Sequence, residues 1–289
     1  MCDLTDVLHY AAFTNCPDGG NPAGIVLDAS QLNEEAMQRI ARSVGYSETV
    51  FVTFSDTRRR IFHLRYFSPL SEVIFCGHAT IAVSVAIAER VGPGKLLMET
   101  AAGKIHVRTT VNSSGGMLAT LTSVPTRSRP VLPAELSAAL SALRWTPAEL
   151  DPSLPPHVAF AGESHLILAA ASRARLAELD YDFDDLAGIM RAYGWTTAHL
   201  VWREEDDYFH ARNPFPVGGV IEDPATGAAA AAFGGYLHKL GLLPDGFVTI
   251  RQGEDMGRPS DLIISGANDT RIRVTGGAVS MLAPHIRSA

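Results

Sequence analysis

At 289 residues the chain suits two domains of ordinary size, and 46% hydrophobic with 19% charged residues describes a globular protein with material for sizeable cores. A formal charge of −7 and an isoelectric point near 5.8 lack the basic footprint of a dedicated nucleic-acid binder. No uncharged run reaches the roughly 20 residues that a helix needs to cross a bilayer, so neither nucleic acid nor membrane is an expected partner.

In chain order, Val7 to Phe13 reads as a first strand, and the turn formers of Asn15 to Pro22 predict a loop. Ala23 to Leu27 is a short apolar strand. Met37, Ile40, Ala41 and Val44 have helical spacing after Asn33 as a cap, and Gly45 ends that helix. Glu48 to Phe54 and Ile61 to Phe67 predict a hairpin, with Arg58 to Arg60 as a solvated turn between them. Strands are predicted at Leu96 to Thr100, Lys104 to Val111 and Met117 to Leu121, and Val124 to Pro130 as the interdomain connection. Beyond it come a helix near Ala134 to Leu143, strands at His157 to Phe160 and Ser164 to Ala169, and a helix at Asp184 to Tyr193. Thr197 to Trp202, Tyr208 to Ala211, Phe247 to Arg251, Asp261 to Ser265 and Arg271 to Gly276 read as strands.

Two stretches differ from this background. Cys76-Gly77-His78-Ala79-Thr80 opens a run from Ala79 to Ala88 without a single charge, and a helix apolar on all sides is a buried one. Asp223-Pro224-Ala225-Thr226-Gly227-Ala228 opens a second such run, to Leu237, with Asp223 predicted as N-cap and Pro224 at the first helical position. Aligning Cys76 with Asp223 gives an offset of 223 − 76 = 147, about half the chain. Each half is therefore expected to deliver the N-terminus of a buried helix, an anion-binding device, to one ligand between two related lobes. The fold class expected is α+β: two pseudo-symmetric lobes, residues 1–122 and 123–275, with 276–289 returning to the first.

Four side chains at these places carry possible chemistry. Glu48 is either a solvated strand-end carboxylate or a general acid/base. Asp223 is a cap, a ligand contact, or both. His78 either satisfies a backbone group or works at the helix mouth, and Cys76 is either an inert buried thiol or a nucleophile or base. Cys2, Cys16 and Cys76 form no C-x-x-C pair, and no two histidines are four residues apart. The expectations are reduced thiols, a cytoplasmic setting and no metal. The opening residues Met1 to Leu4 also lack the pattern of an export signal.

In order, the chain carries Phe13-Thr14, Gly20-Asn21-Pro22-Ala23, Ser47-Glu48-Thr49-Val50-Phe51, Arg65 to Pro69 with Glu72-Val73, and Cys76 to Thr80. Later come Glu222 to Gly227, then Gln252-Gly253 with Gly257 to Ser260. This ordered set resembles the PhzF-type isomerases of phenazine biosynthesis, relatives of diaminopimelate epimerase. The resemblance implies two lobes, each an open mixed barrel of strands around a central helix, assembled as a homodimer. It also implies cofactor-free chemistry in which a carboxylate moves a proton on a small carboxylic acid, trans-2,3-dihydro-3-hydroxyanthranilate in the named member. Catalytic roles then fall to Glu48, His78 and Asp223. Substrate contacts fall to Asn21, Ser47, Gly77, Thr226, Gly227, Ala228 and Gln252. The family often has Ser where this chain has Ala228, which keeps the backbone N–H and loses the hydroxyl. The loop Cys16 to Gly20 departs from the family as well, so the substrate stays open while the isomerase class does not.

Two other functions fit parts of the pattern. An amino-acid racemase or epimerase needs two opposed bases; Cys76 has no cysteine counterpart in the second half, which argues against a thiol pair, while a version in which Glu48 or Asp223 pairs with another group survives. A non-catalytic binder of small acids would not need Glu48, His78 and Asp223 together.

Overall fold

A computed structural model describes residues 6–267 and 269–281, so Cys2 and the end of the expected 276–289 segment lie outside the described residues. The chain divides into two compact units, Thr122–Val274 and the residues before and after it. The first stretch contains β1 (Leu8–Ala12), β2 (Asn21–Val26), α1 (Glu34–Val44), β3 (Glu48–Asp56), β4 (Ile61–Phe67) and β5 (Glu72–Val73). It continues with α2 (Gly77–Val91), β6 (Gly94–Thr100), β7 (Gly103–Val111) and β8 (Met117–Thr122). Then follow β9 (Arg127–Pro130), α3 (Pro133–Leu143), β10 (His157–Phe160), β11 (Ser164–Ala169), α4 (Arg173–Ala177) and α5 (Phe183–Tyr193). The rest are β12 (Thr197–Glu205), β13 (Tyr208–Arg212), β14 (Pro214–Phe215), β15 (Val220–Glu222), α6 (Gly227–Lys239), β16 (Val248–Gln252), β17 (Ser260–Gly266) and β18 (Ile272–Ser280).

In the first unit the strand order is β1-β2-β3-β4-β6-β7-β8-β18, and β18 pairs back onto β1 with Tyr10 opposite Ser280 and Ala12 opposite Ala278. The expected barrel thus closes into eight strands, which removes the exposed edges of an open sheet. Its β2–β3 and β4–β6 pairs are parallel, which needs long crossovers, and α1 and α2 supply them. Every residue of α2 from His78 to Ala88 is buried. The chargeless, small-residue sequence allows this, since strands can approach it from all sides and α2 packs on β1, β2, β3 and β7. Burial of each of Ile81, Val83, Val85 and Ile87 contributes roughly 1.5–3 kcal/mol. The solvated turn expected at Arg58 to Arg60 is only partly that. Arg60 donates to the carbonyls of Val91 (3.4 Å) and Gly92 (2.5 Å), placing a cation on the C-terminal end of α2.

Amphipathic α1 buries Met37 and Ala41 against Phe51 and Phe67. The Asn33 side chain accepts from Ala36 N at 2.9 Å, and Gly45 closes the helix in the left-handed region. Phe13 is buried at φ 63°, a costly conformation for a bulky residue. Its N–H donates to Gly277 O at 2.7 Å, and its ring lies where a Cβ on Gly276 would be, so a glycine is required there.

The second unit has the order β9-β10-β11-β12-β13-β16-β17, continued by the start of β18. Residues Ala229 to Leu237 of α6 are all buried, and the helix packs on β9, β10, β11 and β17. A Cβ on Gly234 would meet Ile272 Cγ2 at 2.9 Å, so glycine permits that close approach of helix and sheet. A separate core joins α3 and α5 through Leu140, Leu143, Trp145, Leu186, Met190 and Trp195. The expected connection Val124 to Pro130 is a connection only in its first part. Arg127–Pro130 is an edge strand antiparallel to β10, and such an edge tolerates the missing N–H of Pro130. The five-residue α4 lies in a stretch where no helix was expected, because one turn is too short to show a period. No helix among the described residues is long and apolar enough to cross a membrane.

Candidate active site

The predicted site residues fall into two groups, one in each unit. In the first, Cys76 occupies the N-cap of α2 and Gly77 its first position, with no side chain capping the start. The cap is fixed from the core side. Tyr66 and Thr80 share a buried hydrogen bond of 2.7 Å, and the Thr80 hydroxyl donates to Cys76 O at 2.6 Å. Burial pushes the Tyr66 phenol up, so it stays a neutral partner in this anchor. An anion at the mouth of α2 therefore meets backbone N–H groups and the positive dipole end with no side chain competing.

Glu48 is the first residue of β3, set beside β2 by the pairing of Ala23 with Glu48. Its Oε2 lies 3.4 Å from His78 Nε2 and 3.5 Å from the Cys76 thiol, which can donate to it. Cys76 Sγ is 3.3 Å from His78 Nδ1, and the Ser47 hydroxyl is 3.4 Å from His78 Nε2. His78 and Cys76 are buried, Glu48 is half-buried and Ser47 is exposed, so the cluster has one open side. Asn21, fully buried, begins β2 two residues before Ala23 and shares this end of the sheet. A carboxylate with an imidazole and a thiol in reach can accept a proton, hold it and return it.

In the second unit α6 begins at Gly227 and its N-cap is Thr226, not Asp223 as expected. The physical reason lies in the preceding ladder: Asp223 N donates to Asn213 O at 3.1 Å, extending the β14–β15 pairing, so Asp223 is held extended and the helix starts later. Both buried helices start on glycine, Gly77 and Gly227, which corrects the internal alignment. The counterpart of Cys76 is Thr226, at an offset of 226 − 76 = 150. A hydroxyl stands where the first half has a thiol.

That hydroxyl is saturated. Thr226 Oγ1 donates to the Asp223 carboxylate and accepts from Asn213 Nδ2 and, at 3.1 Å, from Gln252 Nε2. One proton and two lone pairs leave it no further capacity. Gln252, buried at the end of β16, also donates to Asp223 O at 2.7 Å and accepts from Thr226 N at 3.3 Å. Asn213 Oδ1 lies 3.2 Å from His199 Nδ1, which carries the proton in this arrangement. Full burial lowers His199 to about 4 and His165, whose Nδ1 meets Thr197 Oγ1 at 2.7 Å, to about 3. The web holds Asp223 in place, while Thr226, Gly227 and Ala228 stay half-buried at an accessible helix start.

Asn213 and His199 went unnoticed in sequence. Asn213 sits before Pro214 in what reads as a plain turn, and His199 lies inside an apolar strand. Neither carries a local signal; only the register of β12 against β13 brings them together.

Residues 10–283 match the family described as phenazine biosynthesis-like protein, PhzC-PhzF. An uncharacterized isomerase of Deinococcus radiodurans is 34% identical, covering 90% of this chain and 86% of its own. The trans-2,3-dihydro-3-hydroxyanthranilate isomerase of Pseudomonas chlororaphis is 30% identical, covering 94% and 96%. Among solved structures, the phenazine biosynthesis protein of the PhzF family from Bacillus anthracis superimposes with a TM-score of 0.84 at 28% identity, covering 96% of each chain. With its barrel-enclosed helix and the acid–base cluster at that helix's mouth, the chain belongs to the phenazine biosynthesis-like (PhzF) family and is an isomerase.

Proposed function

We propose that this isomerase moves a proton on a small carboxylic acid without a cofactor, with Glu48 as the general acid/base. The observation that carries the reading is the contact of the half-exposed Glu48 carboxylate with His78 and Cys76 at the uncapped start of α2. Glu48 takes a proton from a carbon next to a conjugated acid and returns it elsewhere on the same molecule. His78 steadies the carboxylate through Nε2, and Ser47 and Asn21 line the approach. Negative charge that develops in the transition state meets fixed N–H donors, which need no reorganisation. The reading assigns carboxylate binding to the backbone N–H donors at the uncapped start of α2, from Gly77 on. The substrate class is that of the Pseudomonas chlororaphis relative, a cyclic dihydroaromatic acid.

Proton NMR of the protein in heavy water with a panel of small carboxylic acids tests the reading. The panel includes dihydrohydroxyanthranilate and several amino acids. Deuterium is expected to enter a ring carbon of a cyclic acid, and the entry to be lost in Glu48→Gln. Entry at an amino-acid α-carbon with inversion, or undiminished exchange in Glu48→Gln, would overturn it.

A further inference from the structure

Ser, Thr, Asp and Asn are the usual heads of helices, because their side-chain oxygens accept from the first N–H groups. Helix α2 is headed instead by Cys76, whose backbone has the extended shape of a cap, at φ −144° and ψ 118°, while no side chain caps the helix. The exception has chemical content: a thiol is a weak acceptor that still has a proton to donate. Its Sγ lies 3.5 Å from Glu48 Oε2, and His78 Nε2 lies 3.4 Å from that same oxygen. The sulfur is also 3.3 Å from His78 Nδ1 and 3.8 Å from Nε2. The in-plane directions of the two ring nitrogens diverge, so a sulfur this close to both lies beside the ring and along neither. Its proton therefore goes to the carboxylate.

We propose that Cys76 is a positioning residue with two tasks: its S–H holds Oε2 of Glu48, so that Oε1 carries the proton, and its weakly accepting sulfur leaves the first N–H groups of α2 to the substrate carboxylate. The inference rests on the proton-transfer reading of Glu48. Two contacts on one oxygen fix the plane of the carboxyl group, and both persist when Oε1 is protonated, because Oε2 then remains an acceptor. Glu48 therefore takes up and returns a proton without turning its side chain, which is what holding a catalytic group in its reacting geometry achieves. The sulfur is itself held in place. The Thr80 hydroxyl, bonded to Tyr66, fixes the Cys76 carbonyl from within, and the His78 ring lies against the thiol. Serine at this position performs the first task and spoils the second, since its hydroxyl donates but also caps the helix. Valine, of similar size, performs the second task and not the first.

The test compares Cys76→Val and Cys76→Ser in the full chain, each checked for folding by circular dichroism. Initial rates of deuterium incorporation into trans-2,3-dihydro-3-hydroxyanthranilate give kcat and KM. Cys76→Val is expected to lower kcat roughly two- to tenfold, the factor that one net hydrogen bond is worth, with KM unchanged. Cys76→Ser is expected to keep kcat and raise KM roughly fivefold, the factor of a typical cap bond, and to raise the denaturation midpoint because α2 gains that cap. A merely structural thiol would not split kcat from KM in opposite ways. Infrared spectroscopy reads the contact without substrate. With Cys2→Ser and Cys16→Ser in place, Cys76 is the one thiol, and its S–H stretching band should move to higher frequency in Glu48→Gln, whose amide is the weaker acceptor. An unmoved band, wild-type kcat in Cys76→Val, kcat lost equally in Cys76→Ser, or a Cys76→Ser with neither KM nor midpoint raised would overturn the proposal. A band that moves while Glu48→Gln retains incorporation upholds the thiol's hold on Glu48 and refutes the catalytic assignment. An unmoved band with incorporation lost in Glu48→Gln refutes the role of the thiol alone.

Discussion

The two buried helices share a design and differ at the cap residue that precedes them. Both are chargeless up to the last turn, start on glycine and are packed by strands, yet α2 is headed by Cys76 beside Glu48 and His78, while α6 is headed by Thr226 inside a closed hydrogen-bond web. The first head consists of groups that gain and lose protons. The second consists of amides and a hydroxyl that do not, plus one carboxylate tied to that hydroxyl. On the proposed reading one helix scaffold carries two functions, proton transfer at α2 and structural support at α6, and the residues around the cap decide which. Changes around α6 should therefore register mainly as lost stability, and changes around α2 mainly as lost rate.

The largest stability effect is expected just before α6. Arg212 forms a buried, two-pronged ion pair with Glu222, at 3.0 and 2.5 Å, and also donates to Ala177 O at 2.6 Å. Removing one partner strands the other charge, so Glu222→Gln should cost about 3–5 kcal/mol in chemical denaturation. Thr226→Val comes next. It leaves buried Asn213 and Gln252 short of partners and should cost about 1–3 kcal/mol, measured the same way.

Acid sensitivity should also map to the second unit. His165 and His199 are neutral in the fold, at about 3 and about 4 against an ordinary 6.5. Above pH 6.5 both states are neutral and nothing is lost. As the pH falls below 6.5 the unfolded chain binds protons that the folded chain does not, so stability falls by up to about 1.4 kcal/mol per pH unit for each histidine and levels off below the folded values. Denaturation midpoints at pH 7.5, 6 and 5 should show this slope, and His199→Gln should flatten it. The smallest effect belongs to the far end of α2, where Arg60→Ala should cost about 1 kcal/mol in the same assay, and leave proton transfer unchanged.

Much of this was legible in the residues. Chargeless runs after Gly77 and Gly227 announced buried helices, since composition alone forbids a solvated face. Alternation placed most strands, and the ordered motifs placed Glu48, His78 and the α6 turn. What stayed hidden depends on pairing at long range. The exact cap of α6 was misplaced because Asp-Pro is a strong local start signal, and only the ladder from Asn213 to Asp223 overrides it. The closure of the first barrel by β18, the His199–Asn213–Thr226 chain and the reach of Glu48 to Cys76 all join residues far apart in sequence.

The contrast between the two helix heads is tested most directly by one comparison: deuterium incorporation from heavy water into a cyclic dihydroaromatic acid by the wild type, Glu48→Gln and Thr226→Val, each at a temperature where it is fully folded. Glu48→Gln is expected to lose incorporation by roughly 10²–10⁴-fold with its unfolding midpoint unchanged, and Thr226→Val to lose stability while retaining most of its rate. Glu48→Gln with wild-type incorporation, or Thr226→Val inactive but fully stable, would contradict the assignment of proton transfer to the head of α2.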